Sequence, residues 1–138
     1  MNLIPFRAAL PLLAIIAIIS ACAEVASPPE LLAGTNSQTW RLTGRSLDSV
    51  PDLLNLCEKT FDVVFNTDES WSWSFTGEEC VPEAMEGSWA FNTTQTVLTL
   101  SPTGGTAIEW TILTLDESTL SVRYDDGGVS VEDSYTAQ

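Results

Sequence analysis

The sequence predicts an all-β protein, an eight-stranded antiparallel up-and-down meander closed into a small barrel. Three observations carry this reading. From Gln38 onward apolar and polar residues alternate with period two, the mark of antiparallel strands with one buried face. Short polar or glycine-rich segments, most of hairpin length, separate the runs. Eight such runs follow one another within about 100 residues, and a meander of eight strands can close and lose its exposed edges. An open, strongly curved sheet or a sandwich is the alternative arrangement of the same strands.

Residues 1–21 have the layout of a signal peptide. Arg7 and the amino terminus supply positive charge, Leu10 to Ile19 form an apolar core interrupted by Pro11, and Ser20-Ala21 are small. The apolar run is shorter than the roughly 20 residues that a membrane-spanning helix needs. Ile19-Ser20-Ala21-Cys22 resembles the lipobox of bacterial lipoproteins. That resemblance implies a mature chain starting at Cys22, acylated there and held at a membrane by its lipid chains. Ala23, rather than Asp, after the cysteine points to the outer membrane, with the face left open. Residues 22–37 then read as the lipidated cysteine and a flexible tether, stiffened at Pro28-Pro29, with Leu31-Leu32 as a place where folding can begin. Residues 38–138 form the barrel domain.

The strands follow in order. Trp40 and Leu42 alternate with Arg41 and Thr43. Residues 49–56 break the pattern and read as a short helix, with Pro51 in its first turn and Asp52 favourable to its N-terminal dipole. Its Leu53, Leu54 and Leu56 would cover one mouth of the barrel; a packed connector is the other reading. Phe61, Val63 and Phe65 form the next inward set. Residues 70–75 alternate without a fault, Trp71, Trp73 and Phe75 against Ser70, Ser72 and Ser74. Trp89 and Phe91 follow Gly87; then come Leu98 and Leu100, and Ile108, Trp110 and Ile112. The phase slips at Leu113, which predicts a bulge or a strand end buried on both faces. Leu120, Val122 and Tyr124, then Val129, Val131 and Tyr135, complete the series.

Composition narrows the function classes. Of five basic and 19 acidic residues only Arg7 falls within 1–21, so the remainder carries a net charge of −15. Nucleic acid is a poor partner for such a chain, because phosphate binding rests on Lys and Arg. The charge suits solvation, cations or a basic partner protein. Cys57 and Cys80 remain once Cys22 is set aside, and in an oxidising compartment they are expected to form a disulfide, worth about 3 kcal/mol by loop closure. The chain has no histidine, and the cysteines have no metal-site spacing.

Several segments resemble the small lipocalin-like lipoproteins of Bacteroidota-type bacteria. Asn36-Ser37-Gln38-Thr39-Trp40-Arg41-Leu42 is similar to that family's first strand, and Cys57-Glu58-Lys59 with residues 61–65 to its cysteine-led second strand. Cys80 and Glu86-Gly87-Ser88-Trp89 resemble its second cysteine and Gly-x-Trp strand, and Ile112-Leu113-Thr114-Leu115 with Thr119-Leu120 its closing hairpin. The likeness spans about residues 31–125. It departs at Glu58-Lys59-Thr60, where an acidic pair is common, and at Asp68-Glu69, where Asp-Gly is common. The resemblance implies an eight-stranded calyx with a disulfide, and brings no ligand and no catalytic residues with it.

Candidate sites follow from these patterns. All five tryptophans fall on the inward phase, and either fill the core or wall a cavity; Trp71, Trp73, Trp89 and Trp110 are the expected wall. Asp125-Asp126-Gly127-Gly128 and Glu78-Glu79 carry oxygens that suit calcium but lack a known loop spacing, so no metal and no cofactor is expected. Without histidine or a free cysteine, Ser–His and Cys–His nucleophile systems are excluded, and no catalytic residue is assigned. The expected function is a non-enzymatic, monomeric, membrane-anchored binder of a small apolar or amphipathic molecule. The alternative is an acidic module with a filled core that recognises a basic protein or glycan, such as an inhibitor of a basic envelope enzyme.

Overall fold

The computed structural model describes residues 25–75, 77, 80 and 83–138. Its strands are β1 (Ser37–Leu47), β2 (Val50–Asp52), β3 (Phe61–Asn66), β4 (Ser70–Phe75), β5 (Ala84–Phe91), β6 (Val97–Pro102), β7 (Ile108–Leu115), β8 (Thr119–Asp126) and β9 (Val129–Ala137). From β3 onward each strand pairs antiparallel with the next, and β1 pairs with both β3 and β9. The eight strands β1 and β3–β9 thus close into the barrel that the alternation predicts. β2 is an addition: it lies along Arg45–Leu47 of β1, beyond Arg41, where the pairing with β3 ends.

β2 occupies the place where a helix over residues 49–56 is expected. Asp48 and Ser49 adopt positive φ, 49° and 68°, and make a tight turn that folds Val50–Asp52 back on β1. Pro51 is compatible with this because β2 is an edge strand and its missing donor faces no partner. The helix signals at Pro51 and Asp52 give way to strand pairing; Leu53 and Leu56 are 93% and 70% exposed rather than folded over a mouth, and Leu54 is the one of the three that packs against the barrel core. Asn55 then organises the chain, its Oδ1 accepting from the Cys57 and Glu58 amides ahead of a 3-10 turn at Glu58–Thr60. Cys57 is joined to Cys80 by the expected disulfide.

The opposite end of the barrel is closed by a helix inside the stretch that reads as a tether. This helix, α1 (Pro28–Ala33), starts at Ser27, whose amide and hydroxyl both donate to the Glu30 carboxylate at 2.7 Å. It ends at Gly34, whose positive φ of 62° halts the helix. Leu32 and Ala33 are buried in the barrel core, and the Trp40 indole donates to the Leu32 carbonyl at 2.8 Å. Among the described residues, α1 upstream of Gln38 thus packs with the barrel.

Two irregularities shape the barrel. The expected slip at Leu113 is a bulge between Ile112 and Thr114 in the β7–β8 pairing. A second bulge, between Leu42 and Gly44 in the β1–β9 pairing, has no counterpart in the alternation. Gly87 lets β5 and β6 approach closely, since a Cβ there would lie 2.0 Å from the Ser101 carbonyl oxygen. The hairpin turns are fixed by aspartate and asparagine side chains bonding nearby amides: Asp68 takes Ser70, Asn92 takes Thr96 and Val97, and Asp116 takes Ser118 and Thr119.

Candidate ligand cavity

The bulge in β1 decides what the barrel holds. Trp40 and Leu42 point inward, and strict alternation would continue with Gly44 and Ser46. The extra residue resets the phase, so Arg45 comes opposite Asp133 of β9. Asp133 is itself inward, between Val131 and Tyr135, and is 1% exposed. The two side chains meet in a fork: Arg45 Nε donates to Asp133 Oδ1 at 2.7 Å and Nη2 to Oδ2 at 2.9 Å. Oδ2 also accepts the hydroxyls of Tyr124 at 3.1 Å and Tyr135 at 3.2 Å. Arg45 Nη1 donates to Glu58 Oε1 at 2.6 Å, which ties the barrel wall to the residue beside the disulfide.

The cluster sets the electrostatics of this end of the barrel. The hydrogen bond to Asp133 raises the Arg45 pKa well above its ordinary value against the opposing effect of burial. Burial first, and the charge of Asp133 second, push the Tyr124 and Tyr135 hydroxyls well above the ordinary tyrosine value. Both phenols therefore stay protonated as donors, and the carboxylate is surrounded by partners as a buried charge requires.

Beside this cluster is a cavity of about 150 Å³. Its wall contains six aromatic side chains, Phe61, Trp71, Trp73, Trp110, Tyr124 and Tyr135, with Val63, Leu100 and Ile108 between them and Arg45 and Asp133 on one side. Trp110 stacks on Tyr124 and Tyr135, with ring planes 26° apart in both pairs. Trp73 and Phe61 are tilted against each other at 5.3 Å and are only partly buried, so they belong to the mouth. A wider depression outside the barrel, bordered by Ser72, Glu86 and Thr103 and by Trp71, is lined mainly by polar residues and open to solvent.

Three of the four tryptophans expected on a cavity wall, Trp71, Trp73 and Trp110, stand on this one. Trp89 does not. It lies nearer the closed end, edge-on to Phe65 at 6.1 Å, with its indole donating to the Asn66 carbonyl at 3.1 Å. Asp125 takes the Gly128 amide within a hairpin turn, and no group of three or more metal-ligating side chains occurs among the described residues. Glu78-Glu79 and Cys22 lie outside the described residues.

A closed eight-stranded antiparallel barrel with an aromatic-walled interior cavity defines a calyx of the small-ligand-binding type. The model of the lipocalin-like domain matches residues 35–122, and the chain belongs to that family. No curated protein and no solved structure matches the chain significantly. The lipocalin-like barrel is in general a binding fold rather than a catalytic one.

Proposed function

We propose that this protein is a non-enzymatic carrier or sensor that holds one small apolar or amphipathic molecule in the barrel. The observation that supports this most is the cavity of about 150 Å³ walled by six aromatic side chains. A filled core would favour instead the alternative of an acidic interaction module for a basic protein or glycan. An apolar cavity of ~150 Å³ suffices for a benzene-sized molecule. Native mass spectrometry of protein purified without denaturation from its own host tests the reading. A small bound mass, absent from an Ile108→Trp variant that fills the mouth, is the expected result; the bare polypeptide mass in both would refute it.

The proposal extends to placement. A signal peptide over residues 1–21 and lipidation at Cys22 would tether the protein to the outer membrane. Ala26 lies beside Thr67 and Glu117 at the closed end of the barrel, so the tether would leave from that end and the mouth would face away from the membrane. Such an orientation suits capture of a dissolved molecule. A Cys22→Ser variant is expected to shift from the membrane to the soluble fraction; unchanged membrane retention would refute the anchor.

A further inference from the structure

We infer that the natural ligand is a single-chain amphiphile longer than the cavity, whose chain passes through an apolar rim and whose head group is not anionic. This rests on the calyx reading above and adds the ligand's length and charge. The rim follows from strand register. Residues two apart on a strand share a face, and so do partners across an antiparallel pair. Leu47 lies opposite the buried Val131, and Met85 opposite Trp73 of the cavity wall. Val129 and Phe75 stand two residues beyond Val131 and Trp73 on the same strands, toward the open end. Val50 of β2 lies opposite Leu47. These side chains continue the inward phase past the cavity, and their neighbours Ser46, Ser74 and Ser130 take the outward one. Yet Leu47, Met85 and Val129 are 37%, 37% and 36% exposed, and Val50 is 65% exposed. The inner face thus stays apolar up to the strand tips, above the level at which the barrel itself buries it.

The cavity of about 150 Å³ takes a molecule of about six carbons, the size of benzene. A longer chain leaves the cavity at Trp73 and covers the apolar rim, and removing that surface from water favours binding. The charges at this end select the head group. Asp126 continues the inward phase of β8 after Tyr124 and is exposed, and Asp48 stands in the turn between β1 and β2. The nearby cations are engaged or turned away. Arg45 is held by Asp133 and Glu58, and Arg123 points outward and pairs with Glu132. Lys59 borders an outer depression with Arg41, which alternates outward between Trp40 and Leu42. A carboxylate head would meet uncompensated negative charge at the rim, whereas a hydroxyl or ammonium head would not.

The test is calorimetric titration of the straight-chain alcohols from hexanol to decanol into the wild type and Leu47→Ser/Met85→Ser/Val129→Ser. The three positions are exposed, and benzene binding checks that the variant keeps its cavity. Full burial of a methylene raises affinity about fourfold. The inference predicts a rise of about two- to fourfold per methylene up to decanol in the wild type, and less than half that slope in the variant. It also predicts that decanoate binds the wild type about tenfold more weakly than decanol at neutral pH and low salt. Should the variant not fold, the wild-type series and the decanoate comparison decide. Wild-type affinity that levels off at hexanol, with benzene bound, overturns the longer ligand and leaves the calyx standing. An unchanged slope in the variant does the same, and a wild-type dimer that the variant dissolves would then give the rim to a second copy. Decanoate binding as tight as decanol overturns the head-group assignment. If neither benzene nor any alcohol binds, both readings fall.

Discussion

Asp133 is a carboxylate in the wall of an apolar barrel, and its environment explains why it is tolerated. Its four hydrogen bonds come from Arg45, Tyr124 and Tyr135. Removing one member of such a pair leaves the other charge uncompensated, so Asp133→Leu should lose about 3 kcal/mol, and the double variant Arg45→Met/Asp133→Leu should lose less. Urea denaturation of the wild type, both single variants and the double variant reads this coupling, and strictly additive losses would contradict it. The tyrosines give a second prediction. Their folded pKa values are raised above the ordinary 10.0, so the unfolded chain releases these protons first. The stabilisation is complete below about pH 10 and is lost as pH rises further. The chain has two tyrosines, so tyrosinate absorbance reports these two alone. Their ionisation should coincide with unfolding, and free titration of a folded protein would refute the buried cluster. Asp133 was passed over at the level of sequence, although its phase between Val131 and Tyr135 is the signal that marks it as inward. Arg45 carried no such signal, because its inward direction depends on a bulge that the residues around Thr43 do not announce.

At the scale of elements, local signals and pairing compete. Residues 49–56 carry helix-start residues, yet the turn at Asp48-Ser49 places Val50–Asp52 against β1, and backbone pairing there replaces a helix too short to stand alone. In α1 the opposite occurs. Ser27-x-x-Glu30 with Pro28 and the terminating Gly34 are helix signals, but six residues hold as a helix only because Leu32 and Ala33 are buried in the barrel core. A Trp40→Phe variant removes the indole bond to Leu32 and should lose about 1 kcal/mol. Faster amide exchange confined to α1 and its contacts would accompany that loss, and unchanged exchange would show that the bond does not hold the helix. Gly87→Ala drives a methyl into the Ser101 carbonyl and should cost roughly 2–3 kcal/mol by forcing β5 and β6 apart. A wild-type thermal midpoint would contradict the close approach.

For the molecule as a whole, period-two patterning and hairpin-length connectors were enough to define the strands and their inward phase, because that phase is specified wherever one face is buried; the choice of a closed barrel over an open sheet or a sandwich is decided by the β1–β9 pairing. The division of the interior was not legible. Alternation says that five tryptophans point inward, but whether their rings fill the space or leave some depends on their height along the barrel. Trp40 and Trp89 pack toward the closed end with Leu32 and Phe65, whereas Trp71, Trp73 and Trp110 surround the cavity. Those five indoles provide the most direct test of the central claim, that the barrel holds a small ligand. Benzene titrated into ¹⁵N-tryptophan-labelled protein should saturate and shift the indole resonances of Trp71, Trp73 and Trp110 while leaving those of Trp40 and Trp89 in place. No saturable shift, or equal shifts at all five, would contradict a ligand cavity at the open end of the barrel.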